Sequence, residues 1–263
     1  MNGDDPYGAR LAGEFPAAWT YGFSPDRSVH PVSVELAWEG TRLDLSTPAG
    51  PLSVRSPLIG SHNASNVMAA VCGGLLLDLP PSAIRDGVRS LEAIPGRLER
   101  IPNDRGIHVF VDYAHTPDGL DRLLAALRDL APGRLLTVFG CGGNRDRAKR
   151  PAMGRVAAKW SDRVIVTSDN PRNEDPEAIL REIVPGLRDA GSRRASPDAD
   201  AETGCYEVVP DRRSAIARAI DQARPGDTVA IAGKGHENVQ IIRDRCLPFD
   251  DREVVRAILA GGG

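Results

Sequence analysis

The sequence predicts an α/β protein: a doubly wound, largely parallel sheet in the C-terminal part, preceded by a partial α/β domain with short antiparallel strands. Three observations predict it. From about residue 106, short apolar runs alternate with longer helical stretches, the pattern of parallel strands joined by crossover helices. Each apolar run stops at a polar or glycine-rich cluster. Residues 31–55 behave differently, alternating apolar and polar residues between glycine-containing turns, as antiparallel strands do.

Residues 1–30 are expected to be loop-rich, punctuated by Pro6, Gly8, Pro16 and Pro25. "VSVELAW", "TRLDLST" and "PLSVRS" follow as short strands split by Glu39-Gly40 and Ala49-Gly50. "NASNVMAAVCGGLLLDL" after Ser61-His62 reads as an apolar helix, and a second helix runs from Pro81 to about Leu91. Residues 97–101 read as a connector, and a domain boundary is expected near residue 100, giving domains 1–99 and 100–263. Beyond it, "IHVFVD", "RLLTVFG", "RVIVTSD", "YEVV" and "DTVAIAG" are strands. Helices are expected over 116–130, 148–160, 176–187 and 211–223, with a terminal helix from about Asp250. Residues 190–205 are a polar insertion, explained by solvation alone.

Composition narrows the function. A chain of 263 residues with 41% hydrophobic and 26% charged residues can bury a core. Its net charge of -3 argues against nucleic acid or an anionic membrane as partner. The spacing of Cys72, Cys141, Cys205 and Cys246 matches no metal site or dense disulfide framework, so reduced thiols in a cytoplasmic protein are expected. The first residues contain no apolar signal segment. Only Lys149, Lys159 and Lys234 are lysines among 33 basic residues, which draws attention to the lysine between Gly233 and Gly235.

In doubly wound sheets, ligands bind beyond the carboxyl ends of the strands. Four runs end there in Asp112-Tyr113-Ala114-His115-Thr116-Pro117, Gly140-Cys141-Gly142-Gly143-Asn144-Arg145, Asp169-Asn170-Pro171-Arg172 and Gly233-Lys234-Gly235-His236-Glu237. Loop filler would scatter such residues over both edges. Each cluster also has an ordinary reading. Asp112 could cap the next helix; Gly140-x-Gly142-Gly143 could be a tight turn, or a dinucleotide fingerprint whose third glycine is replaced by Arg145. Arg147, Lys149 and Arg150 fit a solvated helix face. Taken together, Arg145 and Arg172 suit a carboxylate or phosphate, and Asp169 and Glu237 suit an ammonium. A small zwitterionic amino acid matches that set better than a hydride-transfer substrate.

Gly60-x-His62-Asn63-x-x-Asn66, Gly96-Arg97-Leu98-Glu99 and the Asp112–Pro117 segment, in this order and spacing, resemble the Mur ligases, ATP-dependent amide-forming enzymes of peptidoglycan precursor synthesis. The three later clusters narrow the resemblance to members that join meso-diaminopimelate to UDP-N-acetylmuramoyl-L-alanyl-D-glutamate. The resemblance implies a Rossmann-like C-terminal domain after the last part of a central ATP-binding domain. It implies that Asn63, Asn66, Arg97 and Asp112 contact the nucleotide. It implies that Arg145, Asp169, Asn170, Pro171, Arg172, Gly233 and Glu237 hold diaminopimelate. ATP, Mg2+ and the UDP-linked dipeptide are the further partners implied, with a monomeric enzyme and no metal ligands in this chain. Alternatives are a relative adding another amino acid, such as lysine, or extending folates; a non-catalytic amino-acid-binding remnant; and a nicotinamide-dependent oxidoreductase.

The sequence departs from the family in one respect. Gly-x-x-Gly-Lys-[Ser/Thr] is absent: the one Gly-Lys pair, Gly233-Lys234, is followed by Gly235. Such a loop cradles the phosphates of a bound nucleotide. The purified 263-residue chain is therefore expected to show no ATP-dependent ligation, and measurable release of phosphate coupled to amide formation would contradict this.

Overall fold

The computed structural model describes residues 1–195 and 203–261. The segment 196–202 of the polar insertion lies outside the described residues. Contacts divide the chain into two units, Met1–Ala93 and Ile94–Gly263.

The first unit packs a three-stranded antiparallel sheet on two helices. Strands β1 (His30–Ala37), β2 (Gly40–Ser46) and β3 (Leu52–Ser56) lie side by side in chain order. Leu43 pairs with Val54 and Leu45 with Leu52, so one face carries all four side chains. That face is buried against Ala64, Val67, Met68 and Val71 of α2 (Ser61–Leu76), with Ile84 of α3 (Pro81–Ser90) beside it. Residues 1–30 are not all loop, because Pro6–Glu14 form a helix, α1. Asp5 caps it through the N–H groups of Tyr7 and Gly8, and Pro6 occupies the first turn, where its missing N–H does no harm. No residue of α1 is buried, so the sequence carried the start signal without the apolar periodicity that reveals most helices.

The second unit is the expected parallel sheet. Seven strands run in the order β4-β5-β10-β6-β7-β9-β8. They are β4 (Glu99–Ile101), β5 (His108–Asp112), β6 (Leu135–Phe139), β7 (Arg163–Val166), β8 (Arg193–Arg194), β9 (Cys205–Val208) and β10 (Thr228–Ala232). All neighbours are parallel except β4, which pairs antiparallel with β5. The supposed connector 97–101 is thus partly an edge strand; three residues are too few to show a period of two. Strands β6, β7 and β10 are buried at every position, which is why they read as continuous apolar runs. Alternate residues of β5, β6 and β10 (Val109, Val111, Leu136, Val138, Val229, Ile231) pack on α7 (Arg212–Gln222) and α8 (Asp251–Gly261). Helices α4 (Pro117–Leu130), α5 (Lys149–Trp160) and α6 (Pro176–Asp189) pack in succession. A Cβ at Gly186 would lie 1.8 Å from the Pro151 carbonyl, so α5 and α6 touch backbone to backbone.

An unanticipated hairpin, β11 (Val239–Ile242) and β12 (Arg245–Pro248), follows the Gly233–Glu237 cluster. Its turn is Arg243-Asp244, with Arg243 at φ 55°. No glycine or asparagine marked it, so the usual hairpin signal was absent.

Among the described residues no helix is long and apolar enough to cross a membrane. One buried ion pair locks the sheet's carboxyl edge. Arg212, fully buried, donates to both carboxylate oxygens of Asp251 at 2.7 Å, and to the carbonyls of Ala232 and Ser168 at 3.1 and 3.3 Å. It thereby joins the starts of α7 and α8 to the ends of β10 and β7. Replacing Arg212 alone with Met strands the Asp251 carboxylate in the core and is expected to cost about 3–5 kcal/mol in urea unfolding. Replacing both partners (Arg212→Met with Asp251→Leu) should cost clearly less, and equal losses would contradict this account.

Candidate amino-acid site at the carboxyl edge of the sheet

The parallel register brings the four strand ends to one edge. Ala232 pairs with Asp112, Ile231 with Val138, and Phe139 with Val166, so the residues after each strand emerge together. Their glycines make close approach possible. A Cβ on Gly140 would sit 2.1 Å from the Thr167 carbonyl, and one on Gly143 would sit 1.9 Å from the Pro171 carbonyl. These glycines pack one loop on the next. Helix α5 begins only at Lys149, after Ala148, which makes no side-chain cap. A dinucleotide fingerprint instead feeds its glycines straight into a helix N-terminus, so the geometry disfavours the nicotinamide reading.

The Asp169–Arg172 segment is held from both sides. The Asn170 carbonyl accepts from the Gly143 N–H at 2.9 Å. The Asn170 side chain donates to Glu237 Oε2 at 2.8 Å, while its Oδ1 accepts from Lys234 Nζ at 3.2 Å and the Ile241 N–H at 3.0 Å. Pro171 is buried, and its carbonyl accepts from the Glu174 N–H at 3.0 Å. Arg172 has φ 52°, a conformation that non-glycine residues seldom adopt. Strand β11 holds it there: the Arg172 N–H donates to the Ile241 carbonyl at 2.9 Å, and the Arg243 N–H donates to the Arg172 carbonyl at 2.6 Å. Its guanidinium donates to the Gly143 carbonyl at 2.9 Å and passes so close to Gly142 that a Cβ there would lie 2.8 Å away. Arg145 is exposed on the same loop, its Cγ 3.8 Å from that position. Arg145 and Arg172 therefore flank Gly142.

Asp169 is 7% exposed, and its Oδ1 has no hydrogen-bond donor. Burial raises its pKa, opposed by the nearby Arg212 and Lys234 cations and reinforced by the Glu237 and Asp251 charges. Lys234 Nζ lies 3.8 Å from that oxygen. Gly233, at φ 118°, donates its N–H to the Asp112 carbonyl at 3.0 Å, and its α-carbon faces the Asp169 carboxylate. Asp169, Asn170, Gly233 and Glu237 thus form one cluster.

Beneath the Gly142–Arg145 loop lies an ion cluster. Arg150 belongs to no solvated face: it is fully buried, donating to Glu174 at 2.9 Å and Glu182 at 2.7 Å. Glu174 also accepts the Asn144 N–H, and Arg150 with that N–H holds its carboxyl down at about 2. Arg147 does lie on the surface, paired with Glu182.

Asp112 is committed to backbone. Its Oδ1 accepts from the Ala114 N–H and its Oδ2 from the Leu98 N–H, both at 2.7 Å. It does not cap α4; Thr116 does, through the Gly119 N–H at 3.1 Å. The Leu98 bond brings Asp112 to Arg97, which is exposed with its guanidinium 5.0 Å from the Tyr113 ring centroid. Tyr113 in turn meets the His115 ring edge-on and the His236 ring at a tilt. Asn63 and Asn66 lie in the first unit. Asn63 is buried, donates to the Ile59 carbonyl at 2.9 Å and accepts from Asn66 at 3.2 Å. Asn66 is otherwise exposed. Sequence reasoning missed Arg150, Glu174, Arg212 and Gln240, whose side chain donates to the Asp169 carbonyl at 2.8 Å. Nothing in their spacing announced them.

Among the described residues, no three His, Cys, Asp or Glu side chains form a group able to hold a metal ion. A cavity of about 510 Å³ opens elsewhere, lined by Leu180, Val184, Arg188 and Tyr206 among others, and none of its lining residues belongs to the four strand-end clusters.

Comparison with known proteins bears on the family. Residues 96–235 match the family model of the Mur ligase glutamate ligase domain, and residues 1–74 match that of the Mur ligase middle domain. The chain is 48% identical over 262 residues to a UDP-N-acetylmuramoyl-L-alanyl-D-glutamate–2,6-diaminopimelate ligase of Geobacter metallireducens, covering 98% of this chain and 51% of that protein. It is 47% identical over 261 residues to the like-named ligase of Gloeobacter violaceus, covering 99% and 51%. A solved structure bearing the same enzyme name superposes with a TM-score of 0.67 at 34% identity, covering 99% of this chain and 52% of that one. The chain spans about half the length of the curated relatives it matches. It belongs to the Mur ligase family.

Proposed function

We propose that this chain is the amino-acid-accepting part of an ATP-dependent ligase that joins meso-diaminopimelate to UDP-N-acetylmuramoyl-L-alanyl-D-glutamate in peptidoglycan synthesis. In that reaction the D-glutamate carboxylate takes a phosphoryl group from ATP, becoming an acyl phosphate. The diaminopimelate amine then attacks, and phosphate leaves. ATP and the UDP-linked dipeptide both carry nucleotides, which favours the cytoplasm as the compartment. The relatives' names support this substrate pair. The contribution of this chain is to bind and orient the amine, which is catalysis by positioning. Asn63, Asn66, Arg97 and Asp112 are the residues proposed to face the nucleotide, Arg97 as the phosphate-directed cation. No step is assigned to a magnesium ion held by these residues.

The observation that carries the reading is the charge balance around Asp169. Arg212 and Asp251 satisfy each other. What remains is Asp169 and Glu237 against Lys234, one cation short, with one buried carboxylate oxygen of Asp169 undonated. A ligand ammonium supplies both the charge and the missing donor. Arg172 and Arg145, flanking Gly142, supply the complementary anion site. One end of diaminopimelate carries an ammonium and a carboxylate on the same carbon and fits both halves. Lysine held with its α-amine toward the acyl phosphate presents only an ammonium at this end and would leave Arg172 unmatched.

Calorimetric titration of the chain tests the assignment. Meso-diaminopimelate should bind more tightly than L-lysine. Arg172→Ala should weaken diaminopimelate by roughly 10- to 100-fold, the worth of a charge-assisted bond, and barely affect lysine. Equal losses for both would refute the assignment. Affinity should also depend on pH. A proton on Asp169 competes with the ligand ammonium, and the Asp169 pKa is raised. Affinity is therefore full above the raised value and falls as pH drops through it, at a pH above the usual carboxylate range. Asp169→Asn should bind weakly and lose this dependence. For stability the same shift has the opposite sense: its contribution is present below the ordinary pKa of 3.8 and lost as pH rises through the native one.

A further inference from the structure

We infer that Lys234 is a positioning residue of this site, resting on the amino-acid reading given above. It holds Asn170 and Glu237 in their binding orientation and leaves Asp169 Oδ1 without a donor, the place a ligand ammonium would take. Lys234 is fully buried. An ammonium has three protons to donate. All three have acceptors: the Val239 carbonyl at 2.6 Å, and Asn170 Oδ1 and Glu237 Oε2 at 3.2 Å each. None is left for Asp169 Oδ1 at 3.8 Å. Asp169 thus feels the lysine's charge without its hydrogen bond. That combination offsets part of the burial penalty while leaving the oxygen's lone pairs unoccupied.

The same three bonds set two neighbours. Asn170 Oδ1 takes Lys234 and the Ile241 N–H, so its amide nitrogen points to Glu237. Glu237 Oε2 takes both Asn170 and Lys234, which leaves Oε1 without a protein donor among the described residues. Two carboxylate oxygens, Oδ1 of Asp169 and Oε1 of Glu237, are then left without a donor beside a cation that cannot serve them. The flanking glycines let the lysine turn inward: Gly233 has φ 118° and Gly235 has φ 52°, and a Cβ on Gly235 would meet Tyr113 at 2.7 Å. An arginine would not reproduce the arrangement, because its planar fork cannot direct donors to three acceptors around one point.

The low lysine count makes this directly measurable. In ammonium-selective 15N–1H spectra of the wild-type chain, Lys159 is exposed and Lys149 is half-buried with a single carbonyl acceptor. Lys234 is expected to give the one ammonium signal protected from exchange at neutral pH. The signal should shift on adding meso-diaminopimelate and be absent in Lys234→Met. By calorimetry, Lys234→Met should weaken meso-diaminopimelate roughly tenfold or more. Combined with Glu237→Gln, it should lose little beyond the worse single variant, because both changes release the same partners. The wild-type spectrum needs no variant, so the arrangement is tested even where Lys234→Met does not fold. Absence of a protected ammonium, unchanged affinity in Lys234→Met, or losses that simply multiply would each overturn the inference while the site reading stands. A wild-type chain that does not bind meso-diaminopimelate overturns both.

Discussion

A carboxylate buried at the end of a β-strand sets the conditions for everything around it. Asp169 lies where desolvation disfavours charge, and it has no donor on one oxygen. Such a group remains ionised only if buried cations approach it. Arg212 and Lys234 do so, and each needs partners of its own. Arg212 draws in Asp251 and hence the start of α8. Lys234 draws in Asn170, Glu237 and the first residue of the hairpin. The conformations of Gly233 and Gly235 follow from admitting a lysine side chain at that point.

The two buried cations solve different problems. Arg212 commits four of its five N–H donors to Asp251 and two carbonyls, so it fixes the position of strand ends. Lys234 is saturated, but its acceptors leave two carboxylate oxygens unserved. The proposed binding site and a structural ion pair can thus share one charge cluster, because Arg212 is directed to Asp251 and two carbonyls while Lys234 is directed to Val239, Asn170 and Glu237. Asp251 accepts two bonds from Arg212, whereas Asp169 keeps one oxygen undonated.

How much of this was legible in the sequence depended on whether a residue's role left a local mark. The core strands declared themselves because strands covered on both faces must be apolar throughout. Their alternation with helices puts four clusters on one edge, and that singled out Asp112, Asp169, Asn170, Arg172, Gly233 and Glu237 as candidates. Helix α1 and strand β4 were hidden for opposite reasons. One buries nothing and so has no apolar stripe; the other has three residues, fewer than a period needs in order to show. Arg150 was misread because a charged residue beside other charged residues looks like a solvated face, and only the fold reveals Glu174 and Glu182 beneath it. Lys234 was visible as an oddity of composition, since lysine is scarce here, but its three acceptors come from residues 170, 237 and 239.

The Asp169–Arg172 segment works as a short rigid junction between two independently supported half-sites. On one side, the Arg150–Glu174–Glu182 cluster braces the loop that carries Gly142 and Arg145. On the other, Lys234 and Arg212 brace the acids. For the proposed zwitterionic ligand, which presents its two charges on one carbon, the junction would keep Arg172 and Asp169 at fixed separation. Its means are a buried proline and an arginine held at positive φ by strand β11. Backbone strain of this kind, of order 1–3 kcal/mol, persists only where surrounding bonds over-determine it. The hairpin's backbone bonds at 2.9 and 2.6 Å do that here. A more relaxed residue at 172 would free the hairpin from its task but would let the guanidinium drift from Gly142. The hairpin that no turn motif announced therefore exists, on this argument, to keep the anion-binding half of the site in register with the ammonium-binding half.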